Sequence, residues 1–527
     1  MLLSGFLFFI NRKTIRRIWS SILFAFFCFC KDTAKYFREE IKKENRIIFY
    51  GLFVIIAIAV GNRLFFLSQP IRYDEAFSFI YYASRPLYIG LSSYSYANNH
   101  LFHTFLMHIA YLLFGNQLWA LRLPAFISGI LLVPAFYVAS SSFYNKYAAL
   151  LGAVIIASSS ILIEYSTNAR GYSLICLIFL LILTLAVYIR KSKNIAAWLL
   201  FDILSALGFY TIPIMIFPFG VVTVWLFLEA MVSYSGHDRT TFLKNLFINI
   251  IFIAFLTFML YVPIIAIWGI KPLISNPFIK TYAWSRYIVE FPASLQIVWN
   301  YWNRDIPSVL SVTFLVGFIS SLVFYRRITF CRVPLILPVI VSCIFPIMLK
   351  RVIPFTRFWL FLLPLYIIMF SSGVIYILRP IKFREYRDKT IVITVVSVFL
   401  AFWLSSYVLS SLSIYNSDET GTLREAEKVA IFFKDYLKPG DRILAKFPSD
   451  APLIYYFMVH NIPLRHAMDP DARVFAVVNK SLQTLEEILG SHKMKRDDFV
   501  KIKLIKEYPS AAIYELYKAA AVAVGGP

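Results

Sequence analysis

The sequence predicts an all-α polytopic membrane protein with a small C-terminal α/β domain, and three observations predict it. Of the 527 residues, 59% are hydrophobic and only 15% charged, where a soluble domain carries about a quarter charged. The apolar residues come in runs such as 195–228 and 247–268. Runs of roughly 18 or more read as membrane spans rather than core helices. After Leu412 the chain turns polar and mixed.

Taken in order, residues 1–46 read as a cytoplasmic N-terminal segment. Residues 1–10 are apolar before the first charges, the reverse of a signal peptide. Basic stretches at 11–17 and 31–46 flank 18–30, which is short for a span and reads as interfacial or hairpin. Eleven spans are expected in a transmembrane domain, 47–412: 47–68, 119–141, 147–165, 171–189, 195–210, 211–232, 245–268, 307–325, 333–349, 355–377 and 390–412. The stretch 100–114 is short and holds two histidines beyond His100. It reads as a helix along the membrane surface. With the N-terminus inside, this choice sends most basic clusters to the cytoplasm, among them Arg190-Lys191 and Arg326-Arg327. Counting 100–114 as a span inverts every later loop and spoils that bias. The outer loops are then 69–118 and 269–306.

Residues 413–518 alternate helical and strand patterns. Leu423, Ala426, Ala430, Phe433 and Leu437 share one helix face. A turn at Pro439-Gly440-Asp441 precedes an expected strand at 442–447, a helix at 451–459, a strand at 473–478 and a hairpin of 501–507 with 511–517. An odd number of spans puts this domain outside the cytoplasm, followed by a small-residue tail at 519–527.

The net charge of +23 suggests nucleic acid in a soluble protein. Here the cations sit between apolar runs, as in loops facing anionic membrane lipids. No phosphate loop or zinc-finger spacing is present, so nucleic acid is set aside. Cys28, Cys30, Cys176, Cys331 and Cys343 all lie in or beside apolar segments, which reads as small helix residues rather than a disulfide framework.

Five features fall on the outer side under this one topology. Arg72-Tyr73-Asp74-Glu75 sets two acids just beyond a span, as a solvated loop, a general base, or a carboxylate that holds a metal or a phosphate's counter-ion. Asn98-Asn99-His100 with His103 opens the surface helix, where N-terminal donors suit a phosphate and imidazole suits metal or proton transfer. Asn168-Ala169-Arg170-Gly171-Tyr172 breaks two spans; the arginine either snorkels to headgroups or binds phosphate. Lys350, Arg351 and Arg357 put three cations on the face where positive charge is scarce, which invites a bound anion. The 269–306 loop carries Trp284, Trp299 and Trp302, either an interfacial belt or a sugar-stacking cap. Carboxylate with cations suits displacement at a sugar carbon, the base taking the acceptor proton and the cations stabilising a departing phosphate. The rival is a transporter or flippase for an anionic lipid. It needs polar groups across the membrane depth, whereas Asp202 and Glu164 sit near predicted span ends.

On Tyr73-Asp74-Glu75, Asn99-His100-Leu101, Phe114-Gly115 with Ala120-Leu121-Arg122-Leu123-Pro124, and Ala169-Arg170-Gly171-Tyr172-Ser173, the chain resembles the GT-C membrane glycosyltransferases. The subgroup it resembles is the one related to protein O-mannosyltransferases and the lipid A aminoarabinose transferase. Residues 357–365 resemble that family's late Arg-aromatic span. The similarity covers 48–190 and 350–377, and elsewhere hydropathy alone. It implies inverting transfer from a polyprenyl- or dolichyl-phosphate sugar, surface helices in the first outer loop, and a catalytic aspartate that maps to Asp74 with Glu75 beside it. It also implies cations near the donor phosphate, best matched by Arg170 and Arg357. The chain departs from its relatives where Leu101-Phe102 replace prolines and Asn98-Asn99 replace an acid, which weighs against a carboxylate–histidine metal site.

The expected site is therefore Asp74 as base with Glu75, and Arg72, His100, His103, Arg170, Tyr172, Lys350, Arg351 and Arg357 around the donor. No cofactor is required; a divalent cation stays open at His100 with Asp74 or Glu75. The acceptor is a lipid, glycan or protein. The expected location is a bacterial inner membrane, since no reticulum retention signal appears and the extra domain faces outward.

Overall fold

The computed structural model describes residues 20–21, 23–32, 34–35, 46–94, 98–192, 194–274, 280–381, 383, 385–419, 421–463 and 473–518. The readings of 1–19, 36–45 and the 519–527 tail lie outside the described residues.

This is a multi-pass membrane protein. Among the described residues seven helices are long and apolar enough to cross a bilayer: Arg46–Phe66, Leu118–Phe143, Tyr172–Lys191, Pro213–Ser233, Gly236–Trp268, Thr356–Ile377 and Tyr386–Ser411. Lys146–Ser158 and Ser160–Ser166 form a further pair bent by 60°. The remaining expected spans fall on the shorter apolar helices Ile195–Thr211, Ser308–Val323 and Ile336–Lys350, and the expected surface helix is Leu101–Phe114.

The bent pair runs through the middle of the bundle, against Arg46–Phe66, Leu118–Phe143, Leu362–Ile377 and Tyr386–Ser411. Small residues make that possible. Ala148, Ala149, Gly152, Ala153 and Ala157 are buried on its first half, and small side chains let membrane helices approach closely. A Cβ on Gly152 would lie 2.4 Å from the Phe136 ring. The bend frees backbone carbonyls that lipid leaves unsatisfied. Arg63 donates to Ile156 O and Ala157 O at 3.3 Å each, and Asn62 Nδ2 donates to Ala157 O at 3.2 Å. A buried arginine and asparagine in the first span thus stabilise the break in its neighbour.

The chain divides its loops between two ends. Residues around 72, 164, 304 and 417 meet at one end through Arg72 and Arg304. Residues around 143, 190, 229 and 330–333 meet at the other, where Glu229 bonds Arg190 and the Val333 amide. Asp202 corrects the reading that few charges lie mid-span. It sits in the middle of Ile195–Thr211, buried, with Oδ1 lacking a hydrogen-bond partner.

The C-terminal domain is a four-stranded sheet of β1 Arg442–Leu444, β2 Val474–Asn479, β3 Phe499–Glu507 and β4 Ala511–Lys518, in the order β1-β2-β4-β3. β1 and β2 are parallel; β4 pairs antiparallel with β2 and β3. Helices Ala426–Tyr436, Asp450–Val459 and Leu485–Ser491 accompany it. The last escaped the sequence reading. Its signal is the reciprocal cap in which Thr484 Oγ1 accepts from Glu487 N and Glu487 accepts from Thr484 N.

The domain is seated on the first loop. Ile71, Phe79, Met107 and Leu121 share one buried core with Leu423, Phe433, Tyr455 and Phe475. Tyr73 N donates to Gly421 O at 3.0 Å and Tyr455 Oη to Asn116 O at 2.8 Å. Gly421 has φ of +75° and a Cβ there would lie 2.5 Å from Pro448, so the contact requires glycine.

Candidate active site

The first loop builds the site. After the span ends at Phe66, the chain turns into the short helix Tyr73–Ser78, which continues as a π-turn over Phe79–Ala83. Glu75 stands at the third helical position and accepts from the Arg72 amide at 2.7 Å, an N-terminal cap that uses an otherwise orphaned donor. Glu75 points inward and is 1% exposed. Asp74, one residue earlier, is half-buried instead.

Glu75 is fully occupied. Arg122 Nε donates to Oε2 at 3.0 Å and Arg122 Nη2 donates to Oε1. The Ala169 amide donates to Oε2 at 2.9 Å. Arg122, 0% exposed, places its other three N–H bonds on Leu67 O, Gln69 O and Pro70 O. One carboxylate therefore ties the first loop to Leu118–Phe143 and to the 167–171 break.

Arg72 is spent in a similar way. It donates to Ser417 O, Glu419 O, Ile414 O and Gln69 Oε1, and pairs with Glu164 at 3.3 Å. Glu164 also pairs with Arg304 from the long loop. Arg72 fastens the chain that follows the last span to the site.

Arg170 is different, because no carboxylate touches it among the described residues. It is 2% exposed. Its Nη1 donates to Ser78 Oγ and Asn98 O at 2.7 Å each, and its Nη2 lies 2.8 Å from His100 Nε2. Its Nε has no hydrogen-bond partner. His100 Nδ1 accepts from the Gly171 amide at 2.9 Å. Burial, then Arg170, hold His100 well below its usual pKa. Both ring nitrogens face N–H donors, so an imidazolium here would set N–H against N–H at both, whereas the neutral ring, with one N–H and one lone pair, accepts at one of them. His103 is buried one turn on, its Nε2 without a partner, and burial drops its pKa to about 3.

Asp74 completes the group. Its carboxylate makes no hydrogen bond or ion pair with the described residues, while its backbone oxygen accepts from Ser78 Oγ. Arg357 lies within electrostatic reach of Asp74, Tyr172, Tyr165 and Glu419. Arg357 Nη1 is 3.7 Å from Glu419 Oε1, and Thr356 Oγ1 donates to the same oxygen at 3.4 Å. Tyr172 packs edge-on against His100 and Tyr165, with ring centres 5.2 and 5.1 Å away. Residues 74, 100, 170, 172 and 357 are thus neighbours.

Lys350 and Arg351 stand apart from it. Lys350 is exposed, and Arg351, in a left-handed conformation, lies over Trp284 at 5.7 Å and accepts from the Tyr282 amide through its carbonyl. Arg351 thereby holds the 269–306 loop. The site residues that the sequence reading missed are Arg122, Glu164, Arg304 and Glu419. Arg122 was visible only as part of a family-like string. Glu419 gave no signal, because it belongs to the polar stretch after the last span.

No group of three or more histidine, cysteine, aspartate or glutamate side chains among the described residues is arranged to hold a metal. Of the set left open, His100 with Asp74 or Glu75, two members are engaged within the protein. The ring nitrogens of His100 face donors, and every Glu75 oxygen is bonded.

Residues 99–262 match the family model described as dolichyl-phosphate-mannose-protein mannosyltransferase. The fold is shared with ArnT from Cupriavidus metallidurans. In the apo state that structure is 13% identical, with a TM-score of 0.54, covering 88% of this chain and 97% of the other. Bound to undecaprenyl phosphate it is 12% identical, with a TM-score of 0.55, covering 90% and 99%. No curated protein matches the chain. At these identities the likeness is one of fold.

Proposed function

We propose that this chain, which has a GT-C glycosyltransferase fold, moves one sugar from a polyprenyl-phosphate donor to an acceptor hydroxyl at the outer face of a membrane. Asp74 takes the proton of the acceptor hydroxyl as its oxygen attacks the anomeric carbon. The bond from that carbon to the phosphate oxygen breaks, and polyprenyl phosphate leaves with the electron pair. A single displacement of this kind inverts the anomeric centre. Arg357 and Arg170 stabilise the charge growing on the leaving phosphate. The reaction as written needs no cofactor.

The observation that carries this reading is a carboxylate with no bonded partner beside two arginines. Among the described residues Arg170 has no carboxylate, and Arg357 has only a loose one. A buried cation without a counter-ion is costly, and a phosphate supplies the missing charge. The undecaprenyl phosphate bound by the ArnT structure fits the donor class. The positive-inside bias supports an outward site, with the N-terminus cytoplasmic and the C-terminal domain outside. Glu75 and Arg72, whose groups are committed elsewhere, position the loop rather than touch the substrate.

The test is transfer by purified protein in vesicles, from a labelled polyprenyl-phosphate sugar. Asp74→Asn should lose transfer by about a hundredfold or more, the scale of a removed general base, while still binding polyprenyl phosphate. Full activity in that variant would overturn the assignment.

A further inference from the structure

At the end of the bundle opposite Asp74, four segments close around a pocket of about 210 Å³. Its position follows from the chain path. Lys146–Ser158 runs from this pocket towards the site at Arg170, and Leu362–Ile377 runs back from Arg357. Ser308–Val323 arrives here from Arg304, and Tyr386–Ser411 leaves for Glu419.

Three cations line the pocket: Arg327, Arg379 and Lys389. None makes a side-chain hydrogen bond or ion pair with the described residues. No carboxylate is among the lining residues; Glu385 and Asp388, the acids next to Lys389 in sequence, are not part of it. Two of the cations rest on aromatic rings. Lys389 Nζ lies 5.2 Å from the Tyr147 ring centre and the Arg379 guanidinium 5.6 Å from that of Tyr376. Tyr147 is itself fixed by a 2.9 Å bond to Thr390 Oγ1. Loops at this end are expected to be basic, but that bias alone does not converge three unpaired cations on one cavity.

The rim is apolar. Phe324 packs on Tyr376 with ring centres 5.1 Å apart, and Phe324, Ile377 and Leu378 are exposed. An anion with hydrocarbon chains satisfies both halves of this surface; a free anion satisfies one.

We propose that this pocket holds the headgroup of an anionic phospholipid from the leaflet opposite the transfer site, with its acyl chains along the Phe324–Leu378 rim. Basic pockets between membrane helices suit such headgroups. The site is independent of the transfer chemistry.

Native mass spectrometry of the full chain tests it. The protein is exchanged into phosphatidylcholine and then offered phosphatidylglycerol or further phosphatidylcholine. The wild type should retain phosphatidylglycerol in preference. Each cation removed should weaken that preference about fivefold, so Arg327→Gln, Arg379→Gln and Lys389→Gln together should abolish it. Asp74→Asn should leave it unchanged. Should the triple variant not fold, Arg379→Gln and Arg379→Lys serve instead, the first losing the preference in part and the second keeping it. Equal retention by wild type and variants overturns the proposal. So does displacement of the lipid by millimolar inorganic phosphate, which identifies a free-anion site.

Discussion

Replacing Glu75 by glutamine separates its two conceivable roles. The change removes a charge without removing volume. In the structure four donors converge on the carboxylate: two from Arg122 and the amides of Arg72 and Ala169. A carboxamide keeps one oxygen, and its NH2 group then faces donors it cannot satisfy. Arg122 remains charged at 0% exposure with only carbonyl partners. Breaking one side of a buried ion pair costs about 3–5 kcal/mol, against a total stability of about 5–15 kcal/mol for ordinary domains. The loss is therefore large and global. Unfolding can be read from the protein's own thiols. Cys176, Cys331 and Cys343 are buried, whereas Cys30 is exposed and Cys28 half-buried. With Cys28 and Cys30 changed to serine, a thiol-reactive dye reports the opening of the core on heating. Glu75→Gln should react many degrees below the wild type, and Asp74→Asn should react with it. A Glu75→Gln protein that melts with the wild type but has lost transfer would refute the positioning role and restore Glu75 as a reacting group.

Further outcomes follow from the same geometry. Arg357→Gln should lower the transfer rate by about a hundredfold to a thousandfold, the cost of one lost donor to a developing charge; initial rates over a range of donor concentrations check this. Gly171→Ala should damage the protein, since the added Cβ would lie 2.6 Å from Thr211 Cγ2 and 3.2 Å from His100 Nδ1. Thr211→Ser removes the closer clash and should recover part of the activity in the double variant. The depressed pKa of His103, about 3 against an ordinary 6.5, sets the sign of a pH effect. Between these values the unfolded chain binds a proton that the folded chain refuses. This contribution is complete above about pH 6.5 and shrinks as the pH falls toward 3. His103→Gln should flatten the decline in melting temperature between pH 7 and 5, and an unchanged slope would contradict it.

Much of the membrane domain was legible because its determinant is local. A run of apolar residues long enough to span a bilayer announces itself without any partner, and the eleven expected stretches all fall on apolar helices. The strands of the C-terminal domain showed for the same reason, in their alternation and turn residues. The break at Ser159 did not show. Its cause is Asn62 and Arg63, about 95 residues away in sequence, which supply the bonds that the bent helix gives up.

The site divides along the same line. Residue type alone marks the chemical groups that border the loops at one end, because acids and arginines beside apolar spans stand out. What each one does depends on the fold. Asp74 and Glu75 are neighbours in the chain, yet one is half-buried without a bonded partner among the described residues and the other is bonded to Arg122, 47 positions on. Arg72 and Arg170 are both buried arginines, yet Glu164 neutralises the first and, among the described residues, no carboxylate meets the second. The physical reason is that charge at a site depends on compensation, and compensation is a matter of which distant side chains the fold brings within bonding distance.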